Sequence, residues 1–192
     1  MGKRLSSDAR REQLIEIGKT LFSTRPYDAL STEAIARDAG ISKGLLYHYF
    51  GSKRGFYVAT VQRLADELLA VTTLADDEPI EDAVASVLSG FYAFLGDHAA
   101  LFRALVRGGI GSDPEVEGII EAVRQTMLRR LCSRFGVETP TPNLRARLYA
   151  WIGAAEAAAV DLADHRDLDQ AAFLAILLDL LVAVLPAELR PG

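Results

Sequence analysis

Apolar residues recur at three- and four-residue intervals along almost the whole chain, and this spacing favours α-helices. Over residues 8–24, for example, this spacing is carried by Leu14, Ile15, Gly18, Leu21 and Phe22. No stretch of useful length alternates as a strand would. The chain is therefore predicted to be all-α, with about nine helices near 8–24, 32–38, 43–50, 53–72, 80–96, 98–107, 114–135, 143–164 and 168–185.

Charge divides the 192 residues unevenly. Residues 1–60 carry ten Lys/Arg against six Asp/Glu, whereas residues 61–192 carry eleven against twenty. A basic segment on an acidic body suggests a surface that faces an anion, although an ordinary solvated surface would look the same. We predict an N-terminal domain over 1–55 and a larger second domain over 56–192.

Several classes of protein are disfavoured by composition. The longest uncharged apolar run is eight residues, 171–178, which is far short of the roughly 20 needed to cross a bilayer. The first 13 residues contain no apolar core of a secretory signal. A single cysteine, Cys132, cannot form an intrachain disulfide or hold a metal alone. A cytoplasmic protein without a metal or cofactor and without membrane contact is expected. The start MGKRLS also fits an N-myristoylation pattern, but a basic arm is the simpler interpretation.

Residues 32–50 have the pattern of a helix-turn-helix. Ala36 is small where two helices would cross, and Gly40 lies at the turn, where glycine accepts a positive φ. Apolar residues have the spacing needed to form a small shared core: Ile35, Ala39, Ile41, Leu46 and Tyr49. An ordinary corner between two helices would share this pattern, so the chemistry of the third helix has to separate the two interpretations.

The predicted third helix carries groups suited to DNA. Ser42 and the free N–H groups of the first turn can bind a phosphate. Lys43 can reach a guanine edge or a phosphate, and Gly44 allows close approach of the backbone. Tyr47 and His48 are available on the outer face. Ser52 is predicted to cap the fourth helix, and Lys53 adds a cation to that helix N-terminus.

The run STEAIARDAGISKGLLYHYFGSKRGFYVAT, residues 31–60, resembles the DNA-binding region of TetR-family transcriptional regulators. The resemblance is specific over about 13–60. It implies that Thr32 and Lys53 contact phosphates and that Ser42, Lys43, Gly44, Tyr47, His48 and Tyr49 contact DNA. Leu45 departs from the small or polar residue common at its position, which puts base readout there in question.

The last predicted helix points to a homodimer. Fourteen of the fifteen residues from 171 to 185 are apolar, and a helix that is apolar all round must be covered all round. The preceding helix is rich in small residues, with Gly153 and five alanines between 154 and 159, which permits close packing. We predict pairing of these two helices with their copies, although burial within one chain is the alternative. A two-fold dimer would place two reading helices about 34 Å apart on a palindromic operator.

The helices between about 80 and 165 are predicted to enclose a pocket for a small apolar or aromatic effector. The candidate residues are Phe91, Phe94, Phe102, Arg103, Met127, Tyr149, Ile152 and Glu156. Such aromatic residues could equally form core. From the resemblance we expect a repressor that leaves its operator when the effector favours another arrangement of the body.

Two other functions fit the sequence less well. An enzyme would need convergent titratable groups, but the three histidines lie far apart, and no HExxH occurs. No catalytic residue is therefore predicted. The second alternative is an all-α binding or scaffold protein without DNA affinity. A test of whether the purified protein binds fragments of genomic DNA would separate a DNA-binding regulator from both alternatives.

Overall fold

The computed structural model describes residues 6–107 and 113–190, and every regular element in that part of the chain is helical. This confirms the predicted all-α fold. Short 3₁₀ turns at Tyr27–Ala29 and Ala187–Leu189 accompany the α-helices. In order, these are α1 (Ser7–Thr24), α2 (Thr32–Asp38), α3 (Lys43–Phe50), α4 (Lys53–Val71), α5 (Ile80–Arg107), α6 (Pro114–Arg134), α7 (Pro142–His165) and α8 (Gln170–Val184). Gly2 and most of the predicted break between the helices near 98–107 and 114–135 lie outside the described residues.

A serine caps the N-terminus of each of the first four α-helices. In every case the hydroxyl oxygen accepts a hydrogen bond from the backbone N–H three residues later, which satisfies an otherwise unpaired donor. The four cap residues are Ser6, Ser31, Ser42 and Ser52. The caps predicted at Ser42 and Ser52 are confirmed, so both the start of α3 and the start of α4 follow from the local sequence.

Helix α5 is longer than expected. Separate helices were predicted over 80–96 and 98–107, but one continuous helix spans 80–107, and the described chain has eight α-helices. Gly96 faces open space, and a glycine inside a helix costs only about 1 kcal/mol. Buried residues on both sides of it, Leu95 and Leu101, hold the helix together. Its length and composition would also allow it to cross a membrane, but here it packs against α1, α4, α7 and α8.

Helix α4 joins the two predicted domains, and the boundary at residue 55 lies in its first turn. Its N-terminal half packs against α1 and α3. The contact with α1 is close, because a Cβ at Gly18 would lie 2.5 Å from the Thr60 hydroxyl. Its C-terminal end packs against α5, where a Cβ at Gly90 would lie 2.4 Å from the Val71 carbonyl oxygen. One rigid helix therefore connects the helix-turn-helix to the interior of the body.

Helices α7 and α8 pack together on α5. The Trp151 indole N–H donates to the Leu177 carbonyl oxygen at 2.8 Å, and both residues are buried. The break between the two helices falls at Arg166, as predicted, and Arg166 adopts the left-handed conformation with φ of 54°. The outer side of this helix pair is not covered by any other part of residues 6–107 and 113–190.

Candidate nucleic-acid interface and internal cavity

The helix-turn-helix has the predicted core. Ile35, Ala36 and Leu46 are buried, whereas Ala39, Ile41 and Tyr49 are half-buried against the same core. Gly40 has a φ of +64°, which confirms the turn expected at this glycine. With one side of α3 anchored in this way, the other side of the helix is held outward.

The outward side of α3 carries the residues predicted to contact DNA. Ser42, Lys43, Gly44 and His48 are exposed, and the Tyr47 side chain is 43% exposed. The half-buried Tyr49 ring packs at 5.3 Å from that of His48. Thr32 is half-buried at the start of α2. The polar edge of α3 is thus accessible to a groove, and the DNA contacts themselves remain predictions.

The Lys43 ammonium group forms an ion pair with the Glu33 carboxylate of α2. It also lies 5.9 Å from the centre of the Tyr47 ring, within reach of a cation–π contact. Hydrogen bonding to Lys43 lowers the pKa of Glu33, and the same bond raises the pKa of Lys43. Both side chains are exposed, so a DNA phosphate can exchange with Glu33 as the partner of Lys43.

Lys53 is engaged within the protein. Its ammonium group donates to the carbonyl oxygens of Tyr27 at 2.9 Å and Leu30 at 2.7 Å, and lies 3.8 Å from the Tyr27 ring centre. These contacts fasten the α1–α2 connection to the start of α4. The predicted phosphate contact of Lys53 would use the remaining N–H of the ammonium group.

Arg54 was not singled out from the sequence. Its guanidinium donates to both carboxylate oxygens of Asp113 at 2.6 and 2.7 Å and pairs with Glu115 at 2.9 Å. It therefore ties the start of α4 to the start of α6. The partners are 59 residues apart in the chain, so no local pattern could have indicated the bridge.

A cavity of about 90 Å³ lies between α4, α5, α6 and α7. Its wall is mainly aliphatic and aromatic, and it includes five of the eight predicted effector residues: Phe91, Phe102, Met127, Ile152 and Glu156. The ends of the wall reach the C-terminal turn of α4, at Leu68 and Thr72, which the sequence did not indicate. A second cavity of about 60 Å³ adjoins the first, and Phe94 lies in its wall.

Two predicted effector residues lie elsewhere. Arg103 lies in a cleft beside α1 and pairs with Asp164 at 2.8 Å. The Tyr149 hydroxyl donates to the Glu121 carboxylate, and Tyr149 is absent from the walls of both cavities. Conversely, two arginines in the wall were missed, Arg124 and Arg130.

The polar groups of the wall are paired with one another or with the backbone. Arg124 forms two hydrogen bonds of 2.8 Å with the Glu156 carboxylate, and this pairing raises the pKa of Arg124. Arg130 donates to the carbonyl oxygens of Leu69 and Thr72 at 2.8 and 2.9 Å. Arg130 thereby caps the C-terminal end of α4 from within the cavity wall.

The outer side of α7 and α8 is largely apolar or built from small residues, although Asp179 of α8 is also exposed. Ile176, Leu180 and Val182 of α8 are 45%, 39% and 41% exposed. On α7 the exposed positions Ala146, Ala150, Gly153 and Ala157 follow one stripe. Contiguous apolar surface of this kind marks an interaction site in soluble proteins.

Both parts of the chain match one family. Residues 14–60 match the family described as bacterial regulatory proteins of the tetR family. Residues 80–184 match the family described as the tetracyclin repressor-like C-terminal domain. This match alone covers more than half of the chain. This chain belongs to the TetR family. It is a DNA-binding transcriptional regulator with a helix-turn-helix, and it is not an enzyme.

Solved structures and relatives agree with this assignment. A TetR-family regulator from Streptomyces coelicolor is 31% identical with a TM-score of 0.86, over 94% of this chain and 82% of that one. A TetR-like regulator from Rhodococcus sp. RHA1 is 25% identical with a TM-score of 0.73, over 93% and 96%. The transcriptional activator FasR from Mycolicibacterium smegmatis is 27% identical over 154 residues, which are 78% of this chain and 69% of that protein.

Family membership also describes the two parts in general terms. TetR regulators bind DNA operators and are dimers with a ligand-binding C-terminal domain, and residues 80–184 of this regulator match that domain. In the part of the chain that the structure describes, no three His, Cys, Asp or Glu side chains are close enough to hold a metal ion.

Proposed function

We propose that this regulator is a cytoplasmic homodimeric repressor that binds a palindromic operator through α3 and releases it when a small apolar or aromatic effector enters the body. The observation that carries this proposal is the combination of an exposed Lys43–Tyr47–His48 edge and an apolar cavity at opposite ends of α4. Residues 1–55 would read DNA, and residues 56–192 would dimerise and bind the effector.

The proposed dimer forms through α7 and α8. Their exposed apolar and small residues would be covered by the same surface of a second copy, as two-fold symmetry requires. Four helices would then pack together, two from each protomer. Such a dimer presents two α3 helices about one DNA turn apart, at roughly 34 Å.

The proposed release depends on the size of the cavity. A cavity of about 150 Å³ accepts benzene, whereas the larger of the two here is about 90 Å³. A ring-sized effector must therefore displace part of the wall, and Leu68 and Thr72 at the end of α4 belong to that wall. Because α4 continues to Lys53 beside α3, its displacement would change the spacing of the two reading helices. The effector must prefer the displaced state, or operator affinity would not change.

Lys43→Ala and Tyr47→Ala should each weaken specific operator binding by about tenfold or more, since groove contacts are worth about 1–3 kcal/mol. Fluorescence anisotropy with a fragment selected from genomic DNA measures this loss, and light scattering checks that the assembly is intact. Arg129→Ala is the matched control, because Arg129 is exposed on α6 and its substitution removes the same charge as Lys43→Ala. Full affinity in both variants would remove α3 from the proposed reading surface.

Repression is tested separately, because one relative is named an activator. Transcription in vitro from a promoter that contains the selected fragment should fall when the protein is added and recover with an effector. An increase in transcript on adding the protein alone would contradict the proposal that the protein is a repressor. It would not contradict the proposal that α3 binds the operator.

A further inference from the structure

The wall of the larger cavity contains five side chains with polar groups, and each of these groups is already bonded within the protein. Arg124 and Glu156 bond each other, and Arg130 bonds two carbonyl oxygens at the end of α4. The Thr72 hydroxyl donates to the Leu68 carbonyl at 2.6 Å, and the Trp151 indole N–H donates to the Leu177 carbonyl at 2.8 Å. Each of the five groups therefore already has at least one partner within the protein.

The Arg124–Glu156 pair has a central position. Glu156 lies in the wall of both cavities, and the two side chains are only 30% and 20% exposed. Their paired geometry is bidentate, which is the strong arrangement for a guanidinium and a carboxylate. The two formal charges of this pair cancel at the point where the cavities adjoin.

We propose that the cavity selects uncharged, hydrogen-bond-poor ligands, in effect hydrocarbon rings or short hydrocarbon chains, and that the Arg124–Glu156 pair determines this specificity. This inference rests on the proposed effector site and narrows its ligand class from apolar or aromatic to uncharged. Arg124 and Glu156 are the specificity-determining residues, because each occupies the hydrogen-bonding groups of the other that a charged ligand would need.

A charged ligand meets a specific obstacle here. A carboxylate that binds Arg124 has to displace Glu156, which would leave a half-buried carboxylate without its partner. An ammonium group that binds Glu156 leaves Arg124 in the same position. Arg130 donates through Nη1 to two carbonyl oxygens at the negative end of the α4 dipole, so part of its charge is already balanced within the protein. A neutral hydrocarbon avoids these costs and gains the burial of its apolar surface.

The test uses three probes with the same ring and different charge: toluene, benzoate and benzylamine. Binding to the full-length protein without DNA is measured by calorimetry and by the shift in thermal unfolding temperature, which reports ligand affinity. Toluene should bind the unmodified protein at least about tenfold more tightly than benzoate or benzylamine. Ala155 lies in the cavity wall, and Ala155→Leu would fill part of the cavity. This substitution should weaken toluene binding and so show that toluene binds in the cavity.

Two substitutions should then change the preferred charge. Glu156→Gln frees Arg124 and should improve benzoate binding by about tenfold or more, while toluene binding changes by no more than about threefold. Arg124→Gln frees Glu156 and should improve benzylamine binding in the same way. Glu117→Gln and Arg129→Gln are matched controls, because both residues are exposed on α6 outside the two cavity walls and should leave all three affinities unchanged.

Each outcome of these measurements tests a different part of the proposal. Equal or tighter binding of benzoate or benzylamine by the unmodified protein overturns the ligand class, as does the absence of toluene binding. Failure of Glu156→Gln to gain benzoate affinity over Glu117→Gln, with toluene still bound, overturns the role of the pair. Toluene binding that leaves operator affinity unchanged contradicts release by a ring of this class, whereas release by a different ligand that carries a charge would support the proposed function and contradict this inference.

Discussion

Replacing Gly55 with alanine is expected to reduce operator affinity on the order of 100-fold. A Cβ at this position would lie 2.1 Å from the Phe50 carbonyl oxygen at the end of α3. That oxygen belongs to the backbone and cannot move aside alone, so α3 must shift against α4. Overpacking of this kind costs about 1–3 kcal/mol, and each displaced groove contact costs a similar amount in each half of the dimer.

Anisotropy titration of the selected operator fragment measures this effect, and circular dichroism checks that the variant remains helical. Gly96→Ala is the matched control, because Gly96 also lies inside a helix but has no atom within 4 Å of the added Cβ. It should leave operator affinity unchanged and stabilise α5 by about 0.5–1 kcal/mol. An affinity for Gly55→Ala within twofold of the original would show that the α3–α4 contact does not position the reading helix.

The double substitution Ile176→Asp with Leu180→Asp is expected to convert the dimer to a monomer. Both side chains are exposed on α8, one turn apart, and two-fold symmetry places four new carboxylates in the proposed interface. Burying unpaired charge there is costly, so we expect the dimer dissociation constant to rise by at least about 100-fold. Operator affinity should fall with it, because one protomer reads only half of a palindrome.

Light scattering over a range of protein concentrations measures the change in mass. Val71→Asp is the control, since Val71 is 44% exposed but lies on α4 rather than on the proposed interface; it should leave the dimer intact. A dimer that survives the double substitution at micromolar concentration would place the interface on another surface.

Local signals were enough to predict much of the fold. Ser42 and Ser52 begin α3 and α4 because a serine hydroxyl can accept from a backbone N–H three residues on, and that pattern is visible in the sequence. The turn at Gly40 is similarly local. The predicted break near residue 97 was wrong, because packing on both sides of Gly96 outweighs the small cost of a helical glycine.

The contacts within the sites were harder to predict, since they depend on which helices meet. Glu156 was predicted as an effector residue, but its partner Arg124 lies 32 residues earlier. The carbonyl oxygens that bind Lys53 and Arg130 carry no side-chain signal at all. Aromatic residues such as Tyr149 could be assigned to the interior in general, but only the fold decides which of them reach a cavity.

The ion pair between Lys43 and Glu33 has a consequence for how binding responds to electrolyte. When a phosphate replaces Glu33 on Lys43, the freed carboxylate attracts a cation from solution while the DNA loses one. These two exchanges oppose each other, so this lysine adds little to the net release of ions. The operator complex should therefore resist added salt better than its number of phosphate contacts alone would suggest, since the helix-turn-helix already brings a counterion of its own.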